Sequence, residues 1–269
     1  MEKLIILAAL FFVVSTTFSM LGMGGGIMYV PILILAGYTM KTAPGISLIA
    51  ILGTSSAALF TFSKKKMVDW KLACVIDPPT DIMAFVGGYF SSSVPEQLSQ
   101  GLLAVVLIIA GTLMIIGRDF SNKTKRIGKF GYWHRSFNGY KYEVNLPIVL
   151  TATALIGTLS GMLGITGGIM KLPIMVLLCG VPMDIAVATS TVMVAATALS
   201  GVMGHAINGV VDWKTGTILA VVSVIAGIIG SGISLKMDKS KLQKVFGIIV
   251  LLVACKIIYG LVRCPGVDR

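Results

Sequence analysis

Apolar runs long enough to cross a lipid bilayer recur along almost the whole chain, and this pattern restricts the fold more than any other feature. A hydrocarbon core of about 30 Å needs about 20 helical residues, each rising about 1.5 Å. Hydrophobic residues make up 56% of the 269 residues and charged residues 12%, whereas about a quarter of an ordinary soluble domain is charged. The sequence therefore predicts an all-α polytopic membrane protein and disfavours soluble enzymes and nucleic-acid-binding proteins.

Ten apolar segments are arranged in two sets of five. They cover residues 4–21, 27–37, 43–62, 72–90 and 98–117, and then 146–163, 169–180, 185–207, 215–235 and 242–262. The second segment of each set is about a dozen residues long, too short to span a bilayer alone, so we expect broken or re-entrant helices there. We divide the chain into a first transmembrane repeat (1–117), a basic linker (118–145) and a second transmembrane repeat (146–269).

An internal repeat relates the two sets. LGMGGGIMYVP, at Leu21–Pro31, matches LGITGGIMKLP, at Leu163–Pro173, with an offset of 142 residues. VDWK occurs at Val68–Lys71 and again at Val211–Lys214, with an offset of 143. Since the arrangement recurs in mid-chain, we expect the first apolar run to be a membrane helix rather than a cleaved signal peptide.

Positive charges are distributed unequally between equivalent loops. The first VDWK corner carries lysines at 64, 65, 66 and 71, whereas the second carries only Lys214. Residues 91–97 contain no lysine or arginine, whereas the matching turn contains four lysines. Because basic loops favour the cytoplasmic side, this distribution predicts an inverted repeat, with both termini outside and the 118–145 linker in the cytoplasm. The net charge of +11 then reflects membrane topology rather than nucleic-acid binding. A parallel duplication with unequal loops is the alternative.

Glycine clusters separate the long first segment from the short second segment in each half. The substrate-contact residues predicted here are Gly24, Gly25, Gly26, Thr166, Gly167 and Gly168. A helix interrupted at glycine presents backbone N–H groups at the positive end of the short helix, which favours an anion. Inverted halves would bring two such ends together near the midplane. Close packing of small residues between helices is the alternative.

Polar residues of nearby segments are candidates for the same site. Lys171 follows the second glycine cluster, where it is either the counter-charge of an anionic substrate or a side chain that extends to a membrane interface. The third segments contribute Ser47, Thr189, Ser190 and Thr191. Hydrogen bonding between helices is the alternative role for these hydroxyls.

Three further residues are candidates for ion coupling. Asp77 and Asp81 lie in the fourth segment of the first half, where Pro78 and Pro79 are expected to break the helix. Asp77 then serves either in coupling or as the N-cap of the following helix. The matching stretch of the second half contains no acidic residue, so the role of these aspartates is asymmetric. For His205, interfacial hydrogen bonding is the alternative to a protonation switch.

The doubled glycine motif, followed in each half by A-x-x-x-S and VDWK, resembles the sulfite exporter TauE/SafE family of membrane permeases. A-x-x-x-S occurs at Ala43–Ser47 and at Ala186–Ser190, and the resemblance covers nearly the whole chain outside the linker. It implies a multi-pass protein of the cytoplasmic membrane of a prokaryote that exports sulfite, sulfoacetate or related small anions. The substrate contacts that it implies are Gly24–Gly26, Gly167–Gly168, Ser47 and Thr189–Thr191. The chain departs from the family pattern at Thr166 and in the Asp77–Asp81 stretch.

These features predict an anion permease that works by alternating access and holds its substrate at paired half-helix ends. An outside-positive potential favours outward movement of a negative charge by about 2.3 kcal/mol per 100 mV. A proton- or sodium-coupled importer of small anions is the first alternative, and a non-transporting scaffold is another. An intramembrane enzyme is disfavoured, because neither G-x-S-x-G nor H-E-x-x-H occurs.

The expected partners are a small anionic substrate and the lipid bilayer, and a homodimer is left open. The four cysteines have no C-x-x-C spacing, so neither a disulfide framework nor a metal site is predicted, and no cofactor is expected.

Overall fold

The computed structural model describes residues 2–21, 24–116, 131–165, 167–234 and 239–263. Its helices and strands are α1 (Glu2–Met20), α2 (Gly26–Leu35), α3 (Ala43–Lys64), α4 (Trp70–Ile76), α5 (Pro78–Phe90), α6 (Glu96–Ile116), β1 (Tyr132–Phe137), β2 (Tyr140–Asn145), α7 (Leu146–Leu163), α8 (Gly168–Pro173), α9 (Met183–Ile207), α10 (Trp213–Ser234) and α11 (Lys239–Arg263). A short 3₁₀-helix (Ser91–Ser93) follows α5, and a π-helical turn (Ile174–Leu178) continues α8.

Six of the described helices are long and apolar enough to cross a membrane. They are α1, α3, α6, α7, α9 and α10, and α11 contains a shorter apolar stretch at Gly247–Leu261. The prediction of a mostly helical, polytopic membrane protein is thereby confirmed.

The short second segments turn back along the helices that precede them. In the first half, the ring of Phe11 in α1 stacks on Tyr29 in α2, with centroids 4.3 Å apart. Lys3 at the start of α1 and Ala36 just after α2 border the same groove. In the second half, Gly180, just after the π-helical turn, borders a cleft with Glu143, which precedes α7. In each half, the end of the second segment therefore lies close to the start of the first segment.

The fourth segment differs between the halves. In the first half it is divided at Asp77 into α4 and α5, because Pro78 and Pro79 occupy the first turn of α5 and cannot continue the hydrogen bonds of α4. In the second half the equivalent α10 is one continuous helix of 22 residues. The expected helix break is therefore present, and only one half has it.

The two halves pack through equivalent contacts. A Cβ atom added at Gly230 of α10 would lie 2.1 Å from the carbonyl oxygen of Thr16 in α1, and one added at Gly87 of α5 would lie 2.2 Å from that of Thr158 in α7. These positions match at offsets of 143 and 142 residues. Likewise, α3 packs on α10, whereas α9 packs on α5. Helices of one half therefore pack against the fourth segment of the other half.

The linker contains a β-hairpin, which the prediction of helices alone did not include. Strands β1 and β2 pair antiparallel with Phe137 opposite Tyr140. Between them, Asn138 and Gly139 both have positive φ angles, 48° and 80°. A two-residue turn whose central residues both have positive φ matches the right-handed twist of the flanking strands, and the Asn-Gly pair favours such a turn.

Candidate functional site

A buried group of charged and hydroxyl side chains forms where α5, α8 and α9 meet. The side chain of Lys171 is 1% exposed, and its Nζ lies 2.5 Å from Oδ1 of Asp77. The same ammonium donates to the hydroxyl of Thr197 (2.8 Å), and that hydroxyl has two acceptors within reach, Oδ1 of Asp81 (2.9 Å) and the carbonyl of Met193 (2.8 Å). We call these four residues the charged cluster.

The fold positions the members of the charged cluster from three separate elements. Lys171 lies in α8, directly after the second glycine turn, and Thr197 lies in the middle of α9. Asp77 lies at the break between α4 and α5, and its side chain makes no capping bond to α5. Asp81 lies one turn further along α5 and is partly exposed. Lys171 does not extend to an interface, because its charge is paired with Asp77 inside the protein.

The equivalent place in the first half is polar but uncharged. Tyr29 occupies the position that matches Lys171, and Thr54 occupies the position that matches Thr197. The Tyr29 hydroxyl bonds to Ser15 and lies 3.0 Å from the Thr54 hydroxyl, and Ser15 donates to Ser223 (3.1 Å). The repeat therefore preserves a polar contact at this place, but this neutral cluster of Ser15, Tyr29, Thr54 and Ser223 contains no charged residue.

The first glycine turn has a conformation that requires glycine. Gly24 and Gly25 have φ angles of 67° and 78°, in the left-handed region that other residues rarely adopt. A Cβ atom on Gly25 would also lie 2.5 Å from the Tyr29 hydroxyl. Gly26 follows as the first residue of α2.

The second glycine turn is closed by its own hydrogen bonds. Gly167 N–H donates to the Ser160 hydroxyl (3.1 Å), and this hydroxyl also bonds the carbonyl of Ile165. Gly168 begins α8, which has only six residues. Thr166, a predicted contact residue, lies outside the described residues.

A small cavity lies between the second glycine turn and the start of α2. Ile27, from the first turn of α2, lines it together with Ser160, Gly167 and Met170. Its volume is about 10 Å³, which is at most enough for a single water molecule. The cavity is therefore closed to any larger ligand in this conformation.

The predicted hydroxyl residues of the third segments make bonds within the protein. Ser47 donates to the carbonyl of Gly164 (2.6 Å), and Thr189 accepts from the N–H of Asp69 (3.1 Å). Ser190 and Thr191 donate to carbonyls of the preceding turn of α9. Bonds of these kinds are common within and between packed helices. Among these bonds, that of Ser47 reaches a residue beside a glycine turn, Gly164.

His205 is buried at the other end of α9, two turns beyond Thr197. Its Nε2 donates to the carbonyl of Gly161 (2.9 Å), and its Nδ1 lies 3.1 Å from the Ser91 hydroxyl. The ring thus joins α9 to α7 and to the end of α5, apart from the charged cluster.

A second ion pair, between buried Asp69 and partly exposed Arg135, attaches the hairpin to the first VDWK corner. Arg135 of β1 donates to both carboxylate oxygens of Asp69 (2.9 and 3.0 Å), and the Tyr142 hydroxyl of β2 bonds to one of them. Burial by itself raises the pKa of the Asp69 carboxyl, but the hydrogen bonds from Arg135 and Tyr142 outweigh it, so this pKa lies below its usual value. A cleft of about 570 Å³ lies between the hairpin and Cys179.

Comparison with known proteins identifies the family. The family model for the sulfite exporter TauE/SafE matches residues 7–257. The chain belongs to the TauE/SafE family. The resemblance seen in the glycine and VDWK motifs is thereby confirmed.

Bacterial relatives align with this chain over most of its length. The chain is 27% identical over 267 residues to the probable membrane transporter protein YunE of Bacillus subtilis, with 95% of this chain and 97% of that protein covered. It is 22% identical to the probable membrane transporter protein YfcA of Escherichia coli K12, with 88% and 82% covered. It is 32% identical over 108 residues to Sulfite exporter TauE/SafE family protein 6 of Arabidopsis thaliana, with 39% and 25% covered. No solved structure matches the chain.

Three of the four members of the charged cluster were predicted from the sequence as site residues. Asp77 and Asp81 were singled out as charges within an apolar segment, and Lys171 for the same reason. Thr197, which joins Lys171 to Asp81, was not selected as a site residue. The signal available in the sequence was its alignment with Thr54 across the repeat.

Proposed function

We propose that this protein is a permease that exports small sulfur-containing anions, such as sulfite, sulfoacetate or related organosulfonates, by alternating access. The observation that carries the proposal is the TauE/SafE family match over residues 7–257. A buried cation supports an anionic substrate, and Lys171 is the one lysine or arginine that is buried among the residues whose exposure the structure describes.

We place the two halves in opposite orientations in the cytoplasmic membrane of a prokaryote, with the termini outside and the linker in the cytoplasm. Asp69, in the first VDWK corner, bonds to Thr189 near the start of α9, whereas Asp212, in the second corner, follows the end of α9. From Thr189 to Ile207 the helix rises about 27 Å at 1.5 Å per residue, close to the thickness of a hydrocarbon core. Equivalent corners at opposite ends of one spanning helix support an inverted repeat.

The substrate site in this proposal lies between the two glycine turns, with Lys171 as its counter-charge. The N-terminal end of α2 contributes the dipole of a ten-residue helix. On the other side α8 has only six residues, which is short for a helix dipole. In this proposal Lys171 therefore supplies the positive charge that was expected from the N-terminal end of the second half-helix. The cavity of about 10 Å³ opens when the halves move relative to each other, which exposes the site first to one side and then to the other.

Two driving forces are compatible with such a site. A uniporter would use the outside-positive potential, which favours outward movement of an anion. A permease coupled to protons or sodium ions, running in either direction, is the second candidate, and the charged cluster is the observation that favours it. Asp81 is partly exposed and is connected to Lys171 through Thr197, so its charge can respond both to solvent and to the substrate site.

Reconstitution in proteoliposomes tests the substrate class. Vesicles are loaded separately with sulfite, sulfoacetate, thiosulfate, sulfate or acetate, and efflux is followed with an imposed potential, with a pH or sodium gradient, and with neither. We expect flux of sulfite or a sulfonate. A response of the flux to the ion gradient distinguishes the coupled permease from the uniporter, because uniporter flux should depend on the potential and ignore that gradient. Indifference to all five anions would overturn the proposal.

A further inference from the structure

The charge of Lys171 is already balanced in this closed structure. Asp77 is 4% exposed and its carboxylate contacts the ammonium directly. The carboxylate of Asp81 is a further charge that interacts with both members of this pair. If both carboxylates kept their charges, an added anion would give the cluster three negative charges against one positive charge. Buried charges without partners are strongly disfavoured.

Asp77 occupies the position that a substrate anion would need. Lys171 follows Gly167 by one turn, and a Cβ atom on Gly167 would lie 3.2 Å from Cε of Lys171. The lysine side chain thus passes directly over the second glycine turn, where Gly167 lines the small cavity next to the start of α2. An anion that reached Gly167 would approach the ammonium on which the Asp77 carboxylate now lies.

The surroundings of Asp77 provide a second partner for its side chain. Its carboxyl also faces the hydroxyl of Thr80, and that buried oxygen has no partner at full hydrogen-bonding geometry. Buried hydroxyls are nearly always bonded, so Thr80 is available to Asp77 once Lys171 is released. The residue also lies at the break before Pro78, where no continuous helix holds its backbone.

From these contacts we infer that a singly charged anion replaces Asp77 as the partner of Lys171, and that Asp77 takes up one proton from solution as it turns to Thr80. The inference rests on the proposed function. Before binding, the ammonium is paired with the Asp77 carboxylate; afterwards it is paired with the anion, and Asp77 is a neutral acid. The charge of the cluster is unchanged, because one anion and one proton enter together. This favours proton-coupled transport over potential-driven uniport.

The repeat-related neutral cluster limits this exchange to one site per molecule. Ala220 matches Asp77 and Tyr29 matches Lys171. The repeat-related place therefore has neither the cation nor the carboxylate that the exchange needs. It also supplies a design for a variant without the ion pair, Lys171→Tyr combined with Asp77→Ala.

Calorimetric titration of the purified full-length protein with methanesulfonate tests the inference. This sulfonate stays singly charged between pH 5.5 and 8.5, so any pH dependence comes from the protein. We expect affinity to fall about tenfold per pH unit where Asp77 is ionised in the free protein. Titrations in buffers of different ionisation enthalpy should report about one proton taken up per anion. Sulfate, which carries two charges, should bind at least about tenfold more weakly, because Asp81 remains nearby.

Matched variants assign the proton to Asp77. Asp77→Asn should bind methanesulfonate with no pH dependence and no proton uptake, whereas Asp81→Asn should keep both. The double variant Lys171→Tyr/Asp77→Ala, which removes both members of the fully buried ion pair, should fold and bind no sulfonate. Binding by wild type without proton uptake, proton uptake that persists in Asp77→Asn, or a folded Asp77→Asn variant that no longer binds would each overturn the inference. Absence of sulfonate and sulfite binding by wild type at every pH would overturn the proposed function, and the inference with it.

Discussion

At the scale of single residues, equivalent positions in the two halves have acquired different partners. Asp69 and Asp212 both accept a hydrogen bond from the backbone N–H three residues later, so each caps the helix that follows. Only Asp69 also holds Arg135 and Tyr142 of the linker hairpin. The same motif therefore caps a helix in both halves and fixes the linker in one.

We predict that Asp69→Asn lowers the free energy of unfolding by about 2–4 kcal/mol, because the buried partner of Arg135 loses its charge. Asp212→Asn is the matched control and should change stability by less than about 0.5 kcal/mol, since asparagine caps about as well as aspartate. Because the pKa of Asp69 is lowered in the folded state, its stabilisation is present above the ordinary carboxyl pKa of about 4 and is lost as pH falls through the folded value. Thermal unfolding in detergent from pH 7 to pH 3 should show the Asp69→Asn deficit shrinking below about pH 4; a deficit independent of pH would contradict the assignment.

We also predict that Thr197→Val slows anion flux about tenfold or more. The substitution keeps the side-chain shape but leaves Lys171 and Asp81 without their shared partner, and each lost bond to a charged group costs about 1–3 kcal/mol. Thr54→Val removes the equivalent hydroxyl from the neutral cluster, where Tyr29 keeps Ser15 as a partner, and should slow flux less than about threefold. Equal effects of the two variants in proteoliposomes would show that the charged cluster has no special part in transport.

The sequence identified those members of the charged cluster that carry a charge within an apolar segment. A lysine and two aspartates within apolar runs are costly in a membrane and therefore conspicuous, so Lys171, Asp77 and Asp81 were all selected. Their mutual contact was not predicted, because it depends on how α5, α8 and α9 pack. Thr197 gave no such signal, since a helical threonine normally bonds its own backbone.

At the scale of helices, close approach depends on small residues at matched positions. Gly87 and Gly230 let the backbones of neighbouring helices come within contact distance of carbonyl oxygens. Short segments and the break at Pro78 were predictable, because length and proline act locally. The linker hairpin was missed although Asn138-Gly139 is a strong turn signal, since its strands are short and lie in a polar segment.

We predict that Gly230→Ala destabilises the protein by about 1–3 kcal/mol, because the added methyl group forces α10 away from α1. Gly232→Ala is the control in the same helix: nothing lies within 4 Å of a Cβ atom there, so alanine should leave stability unchanged or raise it by up to about 1 kcal/mol. Gly87→Ala, the repeat-related change, should behave like Gly230→Ala. Thermal unfolding in detergent measures all three, and equal stability of the Gly230 and Gly232 variants would argue against close packing at Gly230.

At the scale of the whole molecule, the repeat itself was readable from two short matching motifs. The packing of the halves against each other was not readable from the sequence, because no local pattern of residues determines that α3 packs on α10 and α9 on α5. The contact of Thr16 with Gly230 and the contact of Thr158 with Gly87 are equivalent by the repeat, but only the folded structure shows that these residues meet. The orientation of the halves in a membrane is the claim on which the proposed site depends, since only inverted halves bring the two glycine turns together from opposite sides.

Cysteine labelling at the two VDWK corners tests that orientation most directly. The four native cysteines are replaced, and a single cysteine is introduced as Lys71→Cys or as Lys214→Cys; both lysines are exposed and occupy equivalent positions. A membrane-impermeant maleimide added to intact cells should label the Lys214→Cys protein at once. The Lys71→Cys protein should be labelled only after the membrane is permeabilised. Labelling of both variants from the same side would contradict an inverted repeat and the site built on it.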